Sequence, residues 1–384
     1  ATTFLIYSWA QQQFDVGTAV LAVVFFLGSS YLWNQAVSGG ETLLSVFLYA
    51  LAGWLFCQGC CRAERADESG IQSPLWPWYL GAGLALASTP LVQMVHIGPL
   101  LAAFGLAWTV LRRGSGVLTI GLVMGLGLLV SWLLRLWLVT RNPLGLNWGF
   151  LLADSARFPG ETIWRNYSFD MEKTGIWTRL GGSLFRGLTD LILQGPALVG
   201  NSVAGTLALV AGLHAFRRPS AAAGRNFWGG VAVALFLATM FVQRSPKSEG
   251  HPILMALLPA ACVYGAAYLW IVIERWKLHL ELLGRLFAVL VALVASWPTL
   301  ARIVLPEPPP FAYPPTYPPI FLFMKSWFES GELQASDLPA AEAWYTAQPT
   351  LWIPTTREDF LKIHDRVAPV FSILFTPASS DVRM

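Results

Sequence analysis

Arg244, Lys247 and His251 fall together in the stretch RSPKSEGHP, immediately ahead of the apolar run ILMALLPAACVYGAAYLW. Guanidinium, ammonium and imidazole groups gathered at the mouth of an apolar segment suit an anion, and phosphate is the obvious one. A solvated loop and a lipid-headgroup contact are the plainer alternatives, and both stay open at this point. Glu41 opens another apolar run in SGGETLL. It either complements the helix macrodipole, with Ser38 or Gly39 nearby as cap, or faces an external cavity. Arg141 stands near the start of a long polar connection that also holds Asp154, Arg157, Glu161, Asp170 and Glu172. Two carboxylates in one loop are enough for acid–base work, but spacing does not show that they converge. Each alone reads as a surface charge. Arg135 interrupts SWLLRLWLV, a costly place for a cation unless it snorkels toward a helix end.

Other polar residues point to structure before chemistry. His96 and His214 lie in apolar runs with no acidic or cysteine partner at ligand spacing. They read as packing residues. Cys57, Cys60 and Cys61 end one apolar run and Cys262 lies inside another. The CxxC pair raises zinc or redox chemistry, yet no second pair or neighbouring His completes a site. No metal site is assigned. The chain carries no Walker loop, nucleophile elbow, HExxH or Rossmann fingerprint in a fitting context.

The elements that must position these groups follow from composition. The 384 residues are 55% hydrophobic and 12% charged, against about 45–50% and about 25% in soluble domains. Charge this sparse cannot cover a water-facing surface, and it is clustered between long apolar runs. That is the pattern of a chain solvated by lipid. A formal net charge of +3 and the lack of basic runs with interleaved aromatics exclude a nucleic-acid partner.

Apolar runs long enough to cross a bilayer recur at 16–34, 42–61, 75–90, 93–111, 116–139, 195–216, 226–243, 251–274 and 283–305. Residues 2–10 read as the tail of one more. Ser88, Thr89 and Pro90 divide 75–111 into two short or kinked helices. Arg62 with Arg65, Arg112 with Arg113, Arg217 with Arg218, and Arg275 with Lys277 follow alternate spans. An even number of crossings separates each cluster from the next, so all four share one side. The positive-inside rule makes that side cytoplasmic. The loops 35–41 and 244–250, the connection 140–194 and everything after 305 are then external. Trp148, Trp164 and Trp177 among the charges of 140–194 suggest helices lying in the membrane interface.

Domain organisation follows. Residues 1–305 are a multi-pass transmembrane domain of about nine spans plus the partial N-terminal one. Residues 306–319, PEPPPFAYPPTYPP, are a stiff linker. Residues 320–384 form a small α/β extracytoplasmic domain. Within it, 321–330 reads as an amphipathic helix, AEAWY and TLWIP as strands, TREDFLKIHDRV as a helix with Thr356 as N-cap, and VFSILFT as a strand.

In order, these features resemble the GT-C fold membrane glycosyltransferases, in particular the dolichyl-phosphate-mannose–protein mannosyltransferase-like family of bacteria. Residues 4–49 look like that family's third and fourth spans. WPWYLGAGLALASTPLVQMVHIGPLLAAFGLAWTVLRRG looks like the following pair. SEGHPILMALLPAACVYGAAY is similar to a later span, with His251 near where an Arg is more usual. SDLPAAEAWYTAQPTLWIP looks like the tail of some bacterial members. In the family the first external loop carries the catalytic acidic residue. This chain opens on Ala1 at what looks like the third span, so it is expected to be a fragment, and no residue of it is assigned as catalytic.

The resemblance implies an all-α polytopic membrane protein in the bacterial plasma (inner) membrane. It would transfer a hexosyl or pentosyl group from a polyprenyl-phosphate donor to a glycan, lipid or protein acceptor on the external side. Arg244, Lys247 and His251 would hold the phosphate, with Glu41 and Arg141 as further candidates in the external cavity. No cofactor is implied with certainty, and participation of a divalent cation stays open. A non-catalytic subunit of a membrane complex on a GT-C-like scaffold is the alternative. A transporter or flippase is the other, disfavoured because only Arg135 lies deep in a span and no internal repeat is evident.

Overall fold

The computed structural model describes residues 1–38, 41–69, 74–111, 114–140, 176–239, 250–276, 281–305, 322–337, 339–354 and 357–375. It divides into two compact units, Ala1–Gly145 with Leu184–Leu305, and Leu146–Ser183 with Pro306–Met384. The protein is a polytopic α-helical membrane protein with a small C-terminal α/β region.

The first unit is built from α1 (Thr2–Gln13), α2 (Val16–Leu27), α3 (Ser30–Ser38), α4 (Thr42–Ser69), α5 (Trp76–Val92) and α6 (Ile97–Val110). It continues with α7 (Ser115–Thr140), the part of α8 (Ile176–Leu198) from Leu184 on, α9 (Ser202–Leu213), α10 (Pro219–Thr239), α11 (Leu258–Arg275) and α12 (Glu281–Val304). In hydrocarbon every backbone N–H and C=O must be paired within the segment, so apolar runs of this length settle as helices. Five described helices are long and apolar enough to cross a membrane, and two bent pairs raise the number to seven. The pairs are α2 with α3, bent by 55°, and the end of α8 with α9, bent by 105°.

The stretch 75–111 is two short helices of 17 and 14 residues, but the break is not at Ser88–Pro90. Pro90 stays inside α5, and the chain turns at Gln93–His96. Proline leaves the carbonyl four residues back without its helical donor. Here that carbonyl belongs to Leu86, and the Thr89 hydroxyl donates to it at 2.7 Å. The vacancy is filled locally, so the helix runs on.

Small residues set the contact between α5 and α7. A Cβ on Gly83 of α5 would lie 2.6 Å from the Leu118 carbonyl and 2.8 Å from the Leu122 nitrogen of α7. Only glycine admits that approach, as at other spanning-helix crossings. α1 is tied in by a buried polar chain. Trp9 Nε1 donates to Gln13 Oε1 at 2.7 Å, and Gln13 Nε2 donates to the Tyr264 hydroxyl at 3.0 Å.

Contacts at the helix ends test the even-crossing arithmetic. Arg62 and Arg65 share a cavity with Gln12 at the end of α1. Arg218 Nη1 donates to the carbonyls of Gln13 and Phe14, and Arg275 shares a cavity with Phe14 and Asp15. These arginines therefore gather at one end of the bundle. At the other end Arg302 donates to Asn34 Oδ1 at 2.6 Å, and Gln93 Nε2 to Glu41 Oε1 at 3.4 Å.

In the second unit, β1 (Leu333–Ser336), α13 (Pro339–Thr346), β2 (Thr350–Trp352), α14 (Arg357–Arg366) and β3 (Val370–Leu374) alternate. The sheet is wholly parallel in the order β2-β1-β3. On one face Ala335 and Val370 form a small apolar cluster with Ile353, just after β2, and with Phe360 and Ile363 of α14. The other face carries the buried Gln334 and Ser336. Two readings change here. AEAWY is part of helix α13, not a strand, and LQAS is the central strand instead. Residues 322–327 hold a short helical turn and a 3-10 turn, not a helix over 321–330. Thr356 lies outside the described residues.

Candidate functional site

The two bends in the first unit meet. α2 ends at Leu27 and α3 starts at Ser30, with Gly28 and Ser29 between. α8 and α9 are separated by Val199, Gly200 and Asn201, where Gly200 has φ +102°. Ser29 Oγ donates to the Gly200 carbonyl at 2.7 Å and also accepts the Leu32 N–H as the cap of α3. Asn201 caps α9 by accepting the Ala204 N–H, while its Nδ2 donates to the Phe25 carbonyl at 2.8 Å and the Ala295 carbonyl at 3.3 Å. Thr299 of α12 donates to the Gly28 carbonyl at 2.7 Å. The Phe25, Gly28 and Gly200 carbonyls freed at the two breaks are thus taken up by three side chains, Asn201, Thr299 and Ser29. Broken helices lining a shared junction are where membrane proteins place polar ligands.

His251 is held in this junction. It is buried, and its N–H donates to the Leu198 carbonyl at 2.9 Å at the end of α8. Its Nδ1 accepts the Ile253 N–H at 3.2 Å. That bond leaves Nε2 as the protonated nitrogen of the neutral ring, hence a donor. Gly250 packs against Tyr31 so closely that a Cβ there would come within 2.7 Å of the ring.

An apolar groove of about 260 Å³ opens between α8, α9, α10 and α11 and begins at this junction. Pro196 and Val199 flank Leu198 at one end, Gly212 and Gly229 line the walls, and Arg225 stands at the other. Phe236 and Arg225 lie about 16 Å apart along α10 at 1.5 Å per residue. Trp228, on its wall, is buried, and its Nε1 has no hydrogen-bond partner among the described residues. A few polar groups, here the Trp228 indole, the Tyr264 hydroxyl and Arg225, in an otherwise apolar cleft are the usual make-up of a site for an amphiphile. Arg225 is fixed by donating to the His214 carbonyl and to Asn226 Oδ1.

The residues singled out in the sequence separate in space. Arg244, Lys247 and Arg141 lie outside the described residues. Glu41 is exposed at the start of α4, where its carbonyl accepts the Leu44 and Ser45 N–H groups and its carboxylate takes the Gln93 bond. His251 and Glu41 are thus anchored on different helix junctions. Arg135 is exposed on α7 with its guanidinium 5.1 Å over the Trp132 ring. His96 is buried with its Nδ1 3.2 Å from the Tyr49 hydroxyl. His214 follows the end of α9, where burial and the nearby Arg275 and Arg225 hold its imidazole below the ordinary histidine range. The four cysteines are free and buried, and no group of three His, Cys, Asp or Glu converges as a metal site among the described residues.

Ser29, Asn201, Arg225 and Trp228 were passed over in the sequence. Ser29 and Asn201 each follow a glycine inside an apolar run, GS and GN, and a cap residue after glycine is a legible sign of a helix restart. Arg225 and Trp228 carry no such signal, because nothing local says which face of α10 borders a cleft. Comparison with protein-family models, with curated proteins and with solved structures finds no match to this chain.

Proposed function

We propose that this protein is a membrane glycosyltransferase that moves a sugar from a polyprenyl-phosphate donor to an acceptor at the end of the bundle opposite the arginine clusters, the extracytoplasmic end. The observation that carries the reading is the apolar groove whose mouth adjoins the His251 junction. An isoprenoid chain would lie along the groove past Gly229 and Gly212, with its phosphate at the junction. In the transfer, an acceptor hydroxyl oxygen attacks the anomeric carbon while the bond from that carbon to the phosphate oxygen breaks. The bonding pair leaves with the phosphate, and the acceptor proton goes to a base. His251 Nε2–H is the group assigned to the growing phosphate charge, joined by Arg244 and Lys247 from the adjoining segment. The base is assigned to no described residue.

The test is donor consumption by the full-length protein in proteoliposomes supplied with hexose- and pentose-bearing polyprenyl phosphates, alongside binding of polyprenyl phosphate by native mass spectrometry. Gly229→Leu fills the groove, and a Cβ at that position meets nothing within 4 Å, so the variant should fold. It is expected to lower donor binding at least tenfold, whereas Gly127→Leu, also in open space, leaves it unchanged. His251→Ala should lower turnover about a hundredfold, in the range for loss of one charge-stabilising donor. Polyprenyl phosphate binding without turnover would favour the non-catalytic subunit. Wild-type protein that neither binds nor consumes any of these donors rules the proposal out.

A further inference from the structure

The arginine-rich end holds a second cavity, of about 440 Å³, where the α1–α2 turn, the α9–α10 turn and the end of α11 meet. Its walls include Arg217, Arg218, Arg275, Trp270, Asp15 and Glu274. Three guanidinium groups from two separate elements face one space, against two carboxylates. Local partners do not neutralise them. None of the three forms an ion pair within 4 Å among the described residues. Both Asp15 oxygens are engaged by Thr18, at 2.7 Å from its N–H and 3.2 Å from its hydroxyl, where Asp15 caps α2. Arg218 is locked in place by its bonds to the Gln13 and Phe14 carbonyls, while Arg217 and Arg275 make no side-chain hydrogen bond among the described residues.

From this convergence we infer that the cavity binds one phosphate anion, presented by a phospholipid headgroup or by a soluble phosphate. Three positive charges against two negative leave an excess of one, which a monoanionic phosphodiester cancels. Guanidinium forks match phosphate oxygens two at a time. The indole of Trp270 beside them belongs at the depth where headgroups lie, and the volume is within the range of small-ligand sites, roughly 300–1,000 Å³. The inference stands independently of the glycosyl-transfer reading, because this cavity is at the end of the bundle opposite the His251 junction.

Native mass spectrometry of the full chain, exchanged into phosphatidylcholine nanodiscs doped with phosphatidylglycerol, reads the lipid arm. Thermal midpoints in neutral detergent with and without millimolar glycerol 3-phosphate or inorganic phosphate read the soluble arm. In whichever arm binding occurs, wild type should favour the ligand whose phosphate charge is not offset by its own cation, phosphatidylglycerol over zwitterionic phosphatidylcholine or soluble phosphate over chloride, about tenfold. Arg217→Gln with Arg275→Gln should bring that preference to within about twofold of unity, and Glu274→Gln, which adds to the positive excess, should strengthen it severalfold. Arg62→Gln with Arg65→Gln, in the neighbouring cavity, should leave it unchanged. A preference seen only with phosphatidylglycerol identifies the lipid, and one seen with soluble phosphate identifies the free anion. No preference in either arm overturns the inference. So does a wild-type preference retained by the double variant, or opposite signs for the Glu274 and arginine substitutions from those given.

Discussion

Asn201 makes three bonds with one amide, and each closes a different account. Its oxygen accepts the Ala204 N–H, and its two N–H donors serve the Phe25 and Ala295 carbonyls on α2 and α12. Asn201→Ala removes a helix cap, worth about 1 kcal/mol, and strands the buried Phe25 carbonyl at the broken end of α2, at roughly 1–3 kcal/mol. The expected loss is about 2–4 kcal/mol, read as a lower midpoint of thermal aggregation in detergent. Asn201→Asp keeps the cap but loses both donors, so it should be no better than alanine. Equal stability of wild type and Asn201→Ala would mean that the bends are held by packing alone. At this scale the sequence was legible for charge and poorly legible for polar groups without charge. Arg244, Lys247 and His251 drew attention because cations are rare beside apolar runs. Asn201, inside one, carries no such signal, because its partners are 176 and 94 residues away in the chain.

Elements show the same division between local and distant information. The apolar helical character of the first unit was readable since hydropathy alone decides it in lipid, whereas nine runs became five long apolar helices and two bent pairs among the described residues. The Pro90 break was misplaced because a hydroxyl one residue earlier repairs it, a repair visible only once rotamers are set. In the C-terminal unit, AEAWY alternates well enough for a strand, but Pro339 ahead of it and Glu342 in its first turn favour a helix start,. Glu342 has a further consequence. It is buried on α13, and burial first, then the Asp337 charge, raises its carboxyl above the usual glutamate range despite the nearby Ser336 hydroxyl. The folded unit therefore holds this proton more tightly than the unfolded chain. The stabilisation is complete below the ordinary carboxylate pKa and is lost as pH rises through the raised value. Amide exchange across β1 and α13 in the full chain, corrected for its intrinsic base dependence, should accelerate as pH rises above the ordinary carboxylate range. Glu342→Gln should flatten that dependence and slow exchange at the alkaline end. A wild-type profile identical to that of the variant would show that the carboxyl titrates as it does in the unfolded chain.

For the whole molecule, the sequence gives a parity rule and the fold gives contacts, and these are independent. Counting spans between arginine clusters requires that Arg62, Arg65, Arg217, Arg218 and Arg275 share an end. The cavities and carbonyl bonds at Gln12, Gln13, Phe14 and Asp15 require the same. Neither line needs the length of each span to be right, which is why bends of 55° and 105° do not disturb the agreement. What neither supplies is the absolute direction, which rests on the positive-inside bias. Impermeant maleimide on intact cells decides it, because the native cysteines are all buried. Val37→Cys, at the end of α3, should be labelled from outside. Ser69→Cys, at the end of α4, should be labelled only after permeabilisation. Trp344→Cys, on an exposed position of α13, should follow Val37→Cys if the C-terminal unit is extracytoplasmic as proposed. Reversal of the first two inverts the orientation and moves the groove mouth to the cytoplasm, where an extracytoplasmic transfer has no donor to meet. Labelling of Val37→Cys and Ser69→Cys from one side would break the parity itself, and with it the common basis of the groove and the arginine cavity as sites at opposite membrane surfaces.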